Sequence, residues 1–93
     1  MKYIFEILVP EISRFIGLII RMYYDDHLTE HIHVKYAEKF SKVDFNGKVI
    51  DGELPLPKLH ILKRWIELHQ DELEENWEKV RKGKQPKRIE PWV

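Results

Sequence analysis

The spacing of apolar residues divides the chain into two stretches with different periods. From Ile12 to Tyr24 apolar side chains follow one another with few breaks. Ile16, Leu18, Ile19 and Ile20 make the run β-rich, which predicts one strand buried on both faces. A polar connection, Asp25 to Glu30, leads into His31-Ile32-His33-Val34-Lys35-Tyr36. This segment alternates strictly, so a strand here carries His31, His33 and Lys35 on one face and Ile32, Val34 and Tyr36 on the other. Ala37 to Ser41 is expected to turn the chain. Lys42-Val43-Asp44-Phe45 and Lys48-Val49-Ile50-Asp51 then flank Asn46-Gly47, a dipeptide that tolerates positive φ at both positions and so predicts a two-residue type I′ hairpin.

Beyond Gly52 the period lengthens. Leu59, Leu62, Ile66, Leu73, Trp77 and Val80 recur every three or four residues or in phase with that spacing, the signature of an amphipathic helix. The helix is expected from about Pro57 to about Arg81, with Pro55 or Pro57 near its first turn and Gly83 and Pro86 beyond its end. The pattern predicts an α+β fold, a small and mostly antiparallel sheet of about four strands packed against one long C-terminal helix. Residues 1–93 form a single domain in this reading, with an N-terminal extension at 1–10, a β-meander at 12–51, the helix at 55–82 and an extended basic tail at 83–93, anchored by Ile89 and Trp92.

Charge and composition narrow the functions. The 16 basic and 16 acidic residues cancel, which argues against nucleic acid binding over the whole surface. The distribution is uneven, with five carboxylates between Asp71 and Glu78 and six bases between Lys79 and Arg88; the plain reading is a solvated helix end. The chain has no cysteine, which excludes thiolate zinc sites and favours a cytoplasmic location over secretion for a domain this small. The N-terminal apolar run is interrupted by Glu6 and stopped by Pro10, too short for a membrane span, and no membrane partner is expected. Glycine-rich phosphate loops, Gly-x-Ser-x-Gly and His-Glu-x-x-His are missing, so nucleotide-cofactor and standard hydrolase chemistry is not indicated and no cofactor is expected.

Three groups of residues could carry chemistry. His27, His31 and His33 stand among Asp25, Asp26 and Glu30. Histidines at i and i+2 on a strand project to one side, where they could hydrogen-bond within a polar face, contact a phosphate, exchange protons near neutral pH or hold a metal. On the helix, His69 and Glu72 are i and i+3, so the carboxylate can orient the ring, with Trp65 and Asn76 nearby; a half-buried structural histidine is the plain alternative. His60 falls on the solvent side. Arg14 and Arg21, with Phe15, Tyr23 and Tyr24, form an RNA-contacting set to which Lys35 adds a charge; the plain alternative is core aromatics and strand-edge arginines.

Ile12-Ser13-Arg14-Phe15-Ile16-Gly17, Asp26-His27, His31 to Tyr36 and Asn76-Trp77 resemble the small prokaryotic proteins grouped as domain of unknown function 4160. In that family a pair of prolines usually precedes the His-x-His-Val strand, where this chain has Thr29 and Glu30. The resemblance implies a small partner protein from a neighbouring gene, in a toxin–antitoxin-like pair, and a growth inhibitor that acts on RNA. It carries over no catalytic mechanism; His31 and His33 match the motif and have usable chemistry. Three readings stand beside one another: a metal-independent ribonuclease using His31 and His33 as acid or base, with His69 and Glu72 as a second candidate pair and Arg14, Arg21 and Lys35 near the phosphate; a non-enzymatic adaptor; and a His-rich metal-binding module. Of these the third is least favoured, and no tightly bound metal is expected.

Overall fold

The computed structural model describes residues 9–24 and 29–91. Most of the expected N-terminal extension, the group of Asp25, Asp26 and His27, and the Trp92 anchor lie outside the described residues. The fold is α+β. Five antiparallel strands follow one another across a single sheet: β1 (Glu11–Phe15), β2 (Leu18–Arg21), β3 (His31–Tyr36), β4 (Lys39–Asp44) and β5 (Val49–Gly52). Among the described residues two helices follow, α1 (Leu56–Leu68) and α2 (Gln70–Arg81).

The expected strand from Ile12 to Tyr24 is two strands. Phe15 pairs with Leu18, and Ile16 and Gly17 between them have φ of 44° and 85°. Positive φ at both loop positions is the type I′ geometry, which a β-branched residue adopts only at a cost. The turn was hidden because its first residue is as apolar as its neighbours. Lys58 of α1 braces it, donating from Nζ to the Ile16 carbonyl at 2.9 Å.

The second hairpin also departs from expectation. Asp44 accepts from Gly47 N–H at 3.0 Å and donates to the Lys48 carbonyl at 2.9 Å, so Phe45-Asn46-Gly47 is a three-residue loop with only Gly47 at positive φ. This is a type I turn followed by a left-handed glycine, not a type I′ turn. The Asp44 carboxylate selects it by accepting from the N–H groups of Asn46 and Lys48, both at 2.9 Å. Phe45 leaves the strand to enter the core. The expected turn from Ala37 to Ser41 shrinks to Ala37-Glu38, because the ladder between β3 and β4 continues out to Tyr36 opposite Lys39.

The single long helix is broken at His69, which closes α1 and opens α2. The carbonyl of Ile66 accepts from His69 N–H at 3.2 Å and from the Gln70 side-chain amide at 3.2 Å; the same amide reaches the Phe45 carbonyl at 2.7 Å. A side chain inserted into the i→i−4 ladder is a sufficient cause of a break. The apolar stripe stays in phase across it, so periodicity carried no sign of it.

One face of the sheet packs under the helices. Leu18, Ile20, Ile32, Val34 and Val43 join Leu62, Trp65, Ile66, Leu73, Trp77 and Val80 in one apolar cluster. Leu59, expected in the stripe, is only half-buried. The tail then returns along β1, the first strand of the sheet. Ile89 is buried and donates its N–H to the Ile12 carbonyl at 2.7 Å. Asn76 pairs with both backbone groups of Lys87, at 2.8 and 2.9 Å, and the Trp65 indole donates to the Glu90 carbonyl at 2.8 Å. Arg14 and Arg88 both meet Glu11, at 2.7 and 3.1 Å. Burial would raise the Glu11 carboxyl pKa, but hydrogen bonds and positive charge from these two arginines hold it below the usual carboxylate range.

Two predictions follow from this architecture. Replacing Ile16, which is 44% exposed, with Asn relieves the left-handed strain at small loss of burial, and urea unfolding should show a gain of about 0.5–1 kcal/mol. Because Glu11 ionises more readily in the folded chain, its contribution is present above its unfolded pKa and lost as pH falls through the lowered folded value. Glu11→Gln should therefore cost at most about 1 kcal/mol near neutral pH, since both arginines are largely exposed, and the difference from wild type should disappear in acid unfolding scans.

Candidate functional site

The sheet face turned away from the helices carries most of the polar strand residues. Cross-strand register sets them in rows. Glu11 pairs with Arg21, Arg21 with His33, His33 with Lys42 and Lys42 with Asp51, one row across all five strands. Beside it runs a second row, Arg14–Ile19–Lys35–Phe40. Like charges opposite one another weaken a sheet, so Arg21, His33 and Lys42 in file are not explained by stability. They line a cleft of about 190 Å³ together with Tyr23, Val34, Lys35, Phe40, Ser41 and Asp51. Three permanent cations and one histidine face a single carboxylate among the described lining residues.

His31 and His33 are not two equivalent groups on an open face. His31 is completely buried, its ring centroid 5.5 Å from that of Trp77. Its Nδ1 lies 2.7 Å from the Thr29 carbonyl, and its Nε2 lies 3.2 Å from Nε2 of His33. A carbonyl only accepts, so Nδ1 of His31 must be the donor; neutral His31 then accepts at Nε2, and His33 donates from its own Nε2. Of the options open to two histidines on one side of a strand, hydrogen bonding within the face is the one the geometry shows, because the rings are bonded to each other with centroids 4.9 Å apart. His33 faces the cleft and is stacked on Tyr23 at 3.8 Å, with the ring planes 19° apart.

Of the other residues singled out from the sequence, Arg21 and Lys35 line the cleft. Arg14 shares the open face but is engaged with Glu11, outside the lining. His69 and Glu72 lie apart from it. His69 Nδ1 is 2.5 Å from Glu72 Oε1, and its ring packs 5.2 Å from Trp65 at the helix break, while Glu72 lines a separate, smaller pocket with Asn76, Lys87 and Arg88. His60 is exposed. Sequence reasoning did not single out Lys42, Phe40 or Asp51 as site residues. Centring the β3–β4 hairpin on Ala37-Glu38 would have set Lys42 opposite His33. Among the described residues no three histidines or carboxylates come together to hold a metal ion. No helix among them is long and apolar enough to cross a membrane.

An antiparallel five-stranded meander with a broken helix on one side, and a basic cleft on the side away from α1 and α2, defines a small α+β domain. The chain belongs to the family described as domain of unknown function (DUF4160), whose model matches residues 17–78. The match spans β2 through most of α2 and so includes every residue of the cleft; β1 and the tail lie outside it. Comparison with curated proteins and with solved structures finds no match.

The hydrogen-bond chain makes a sharp spectroscopic prediction. In nitrogen-15 correlation spectra at a pH where both rings are neutral, His31 should be the Nδ1–H tautomer and His33 the Nε2–H tautomer. Observing Nε2–H on neutral His31 would contradict the chain.

Proposed function

We propose that the domain is the toxin-like component of a two-protein pair, cytoplasmic and acting on RNA through its open sheet face. The observation that carries this reading is the file of Arg21, His33 and Lys42 in one cleft, with Lys35 beside it. Phosphate recognition needs convergent cations, and the cleft concentrates positive charge on a chain whose net charge is zero. RNA supplies its own nucleophile in the 2′-hydroxyl, so cleavage requires only proton transfer and stabilisation of developing negative charge. His33 is the group assigned proton transfer. Arg21, Lys35 and Lys42 supply charge stabilisation. His31, wholly buried, acts through His33 as a positioning residue.

The adaptor reading keeps a specific observation in its favour. The tail runs against β1, whereas β5 ends the sheet on the other side with Ile50 bulged out of register and 40% exposed. An open edge strand is a common docking surface for another chain.

Growth on expression without the partner separates the two. His33→Gln should relieve inhibition, and His60→Gln should leave it unchanged. A wild-type chain that is harmless alone, or a His33→Gln variant as harmful as wild type with its fold intact, would displace this reading in favour of the adaptor.

A further inference from the structure

The cleft is bordered by two aromatic rings that the core does not use. Tyr23 rests one face of its ring on His33, yet the residue is still 38% exposed. Phe40 is 62% exposed on β4, approached by the Lys35 ammonium at 6.0 Å from its ring centroid. A phenylalanine this exposed, on the sheet side away from α1 and α2, adds little to the core. Both rings line the same cleft as Arg21 and Lys42.

From these positions we infer that the open face binds unpaired, single-stranded RNA, with one base stacked on Tyr23 and a second on Phe40, and the intervening phosphates on Arg21 and Lys42. This rests on the reading of the face as an RNA-contacting surface and names the form of RNA it takes. Tyr23 lies two residues past Arg21, beyond the end of β2, and Phe40 lies on β4 in the row on the other side of the Arg21 row. Two strand spacings and about four residues of rise separate their backbone positions by roughly 16 Å, too far for both rings to contact one base. A duplex cannot satisfy the arrangement, because its base faces are already covered by neighbouring pairs. An unpaired strand exposes a π-face on every base, whatever the sequence, and carries its charge between them. The mixture of cations and aromatic rings therefore fits a single strand better than a duplex, which cations alone would hold. An acidic protein segment would use the cations but gain little from flat aromatic platforms in place of aliphatic pockets.

Fluorescence anisotropy with a labelled eight-nucleotide oligouridylate, and with an eight-base-pair RNA duplex, tests this on the full chain. The single strand should bind more tightly than the duplex. Phe40→Leu keeps an apolar side chain but removes the π-face, and should weaken single-strand binding about tenfold with the salt dependence unchanged. Phe40→Tyr should restore it. Lys42→Gln should weaken binding and reduce the slope of log affinity against log salt by about one. Thermal melts of each variant keep folding defects apart from binding defects, and Phe40, being mostly exposed, should melt as wild type when replaced. Equal binding of duplex and single strand, or wild-type affinity in Phe40→Leu, overturns the stacking inference while leaving the RNA-contacting reading in place. Failure of both RNAs to bind at low salt removes that reading as well.

Discussion

The pleat of β3 governs this molecule. Its six residues lie at the centre of the sheet, and their alternation sends Ile32 and Val34 under the helices while His33 and Lys35 meet the opposite side. A slip of one residue in either neighbouring pairing would exchange the two sets and put charge beneath Trp65 and Trp77. Register is therefore held tightly, and it is held by the turns. Ile16-Gly17, Ala37-Glu38 and Phe45-Asn46-Gly47 each set which residues of adjacent strands face one another. The alignment of Arg21, His33 and Lys42 follows from that constraint, since once the core face is aligned the opposite face has no freedom left.

The helical layer is joined to the sheet by polar contacts as well as apolar ones. Extended chain beside a sheet leaves backbone groups that need partners. Here the Asn76 amide supplies a donor and an acceptor to Lys87, as a neighbouring strand would, and the Trp65 indole takes the Glu90 carbonyl. Ile89 between them is buried in the core and donates its N–H to the Ile12 carbonyl. Trp65 and Asn76 fall within the residues matched by the family model, while the tail they hold and the β1 strand it pairs with fall outside. The matched part of the fold thus supplies the side chains that hold the tail beside β1.

The histidine pair shows how a short motif acquires direction. In sequence, His31 and His33 are interchangeable. In the fold, the Trp77 ring and the Thr29 carbonyl hold His31 in one orientation, and that orientation dictates which nitrogen of His33 donates to it. Tyr23 stacked on the other side restrains the same ring. A ring held from two sides approaches a ligand already oriented, which is what both binding and proton transfer require.

Much of the fold was legible in the residues themselves. Strict alternation in His31–Tyr36 identified the central strand and its two faces, because side chains on a pleat repeat every two residues. The three-to-four-residue spacing from Leu59 to Val80 identified the helical layer and the side it buries. Arg21, His33 and Lys35 were recognisable as candidates because cations and imidazoles have few other uses in such a pattern. Breaks that depend on partners distant in sequence were not legible. Ile16 turns the chain although it looks like strand, and Lys58, from a helix 42 residues on, meets its carbonyl. Gln70 interrupts a helix whose stripe is unbroken, because its amide reaches Phe45 on the hairpin. His31 is buried although alternation assigns it to an open face, because Trp77 packs against it. Local pattern determined which residues are apolar-facing and which are polar. Only the tertiary structure decided which polar residues stand side by side, since neighbours across a sheet are set by register between segments and not by any single segment's own sequence.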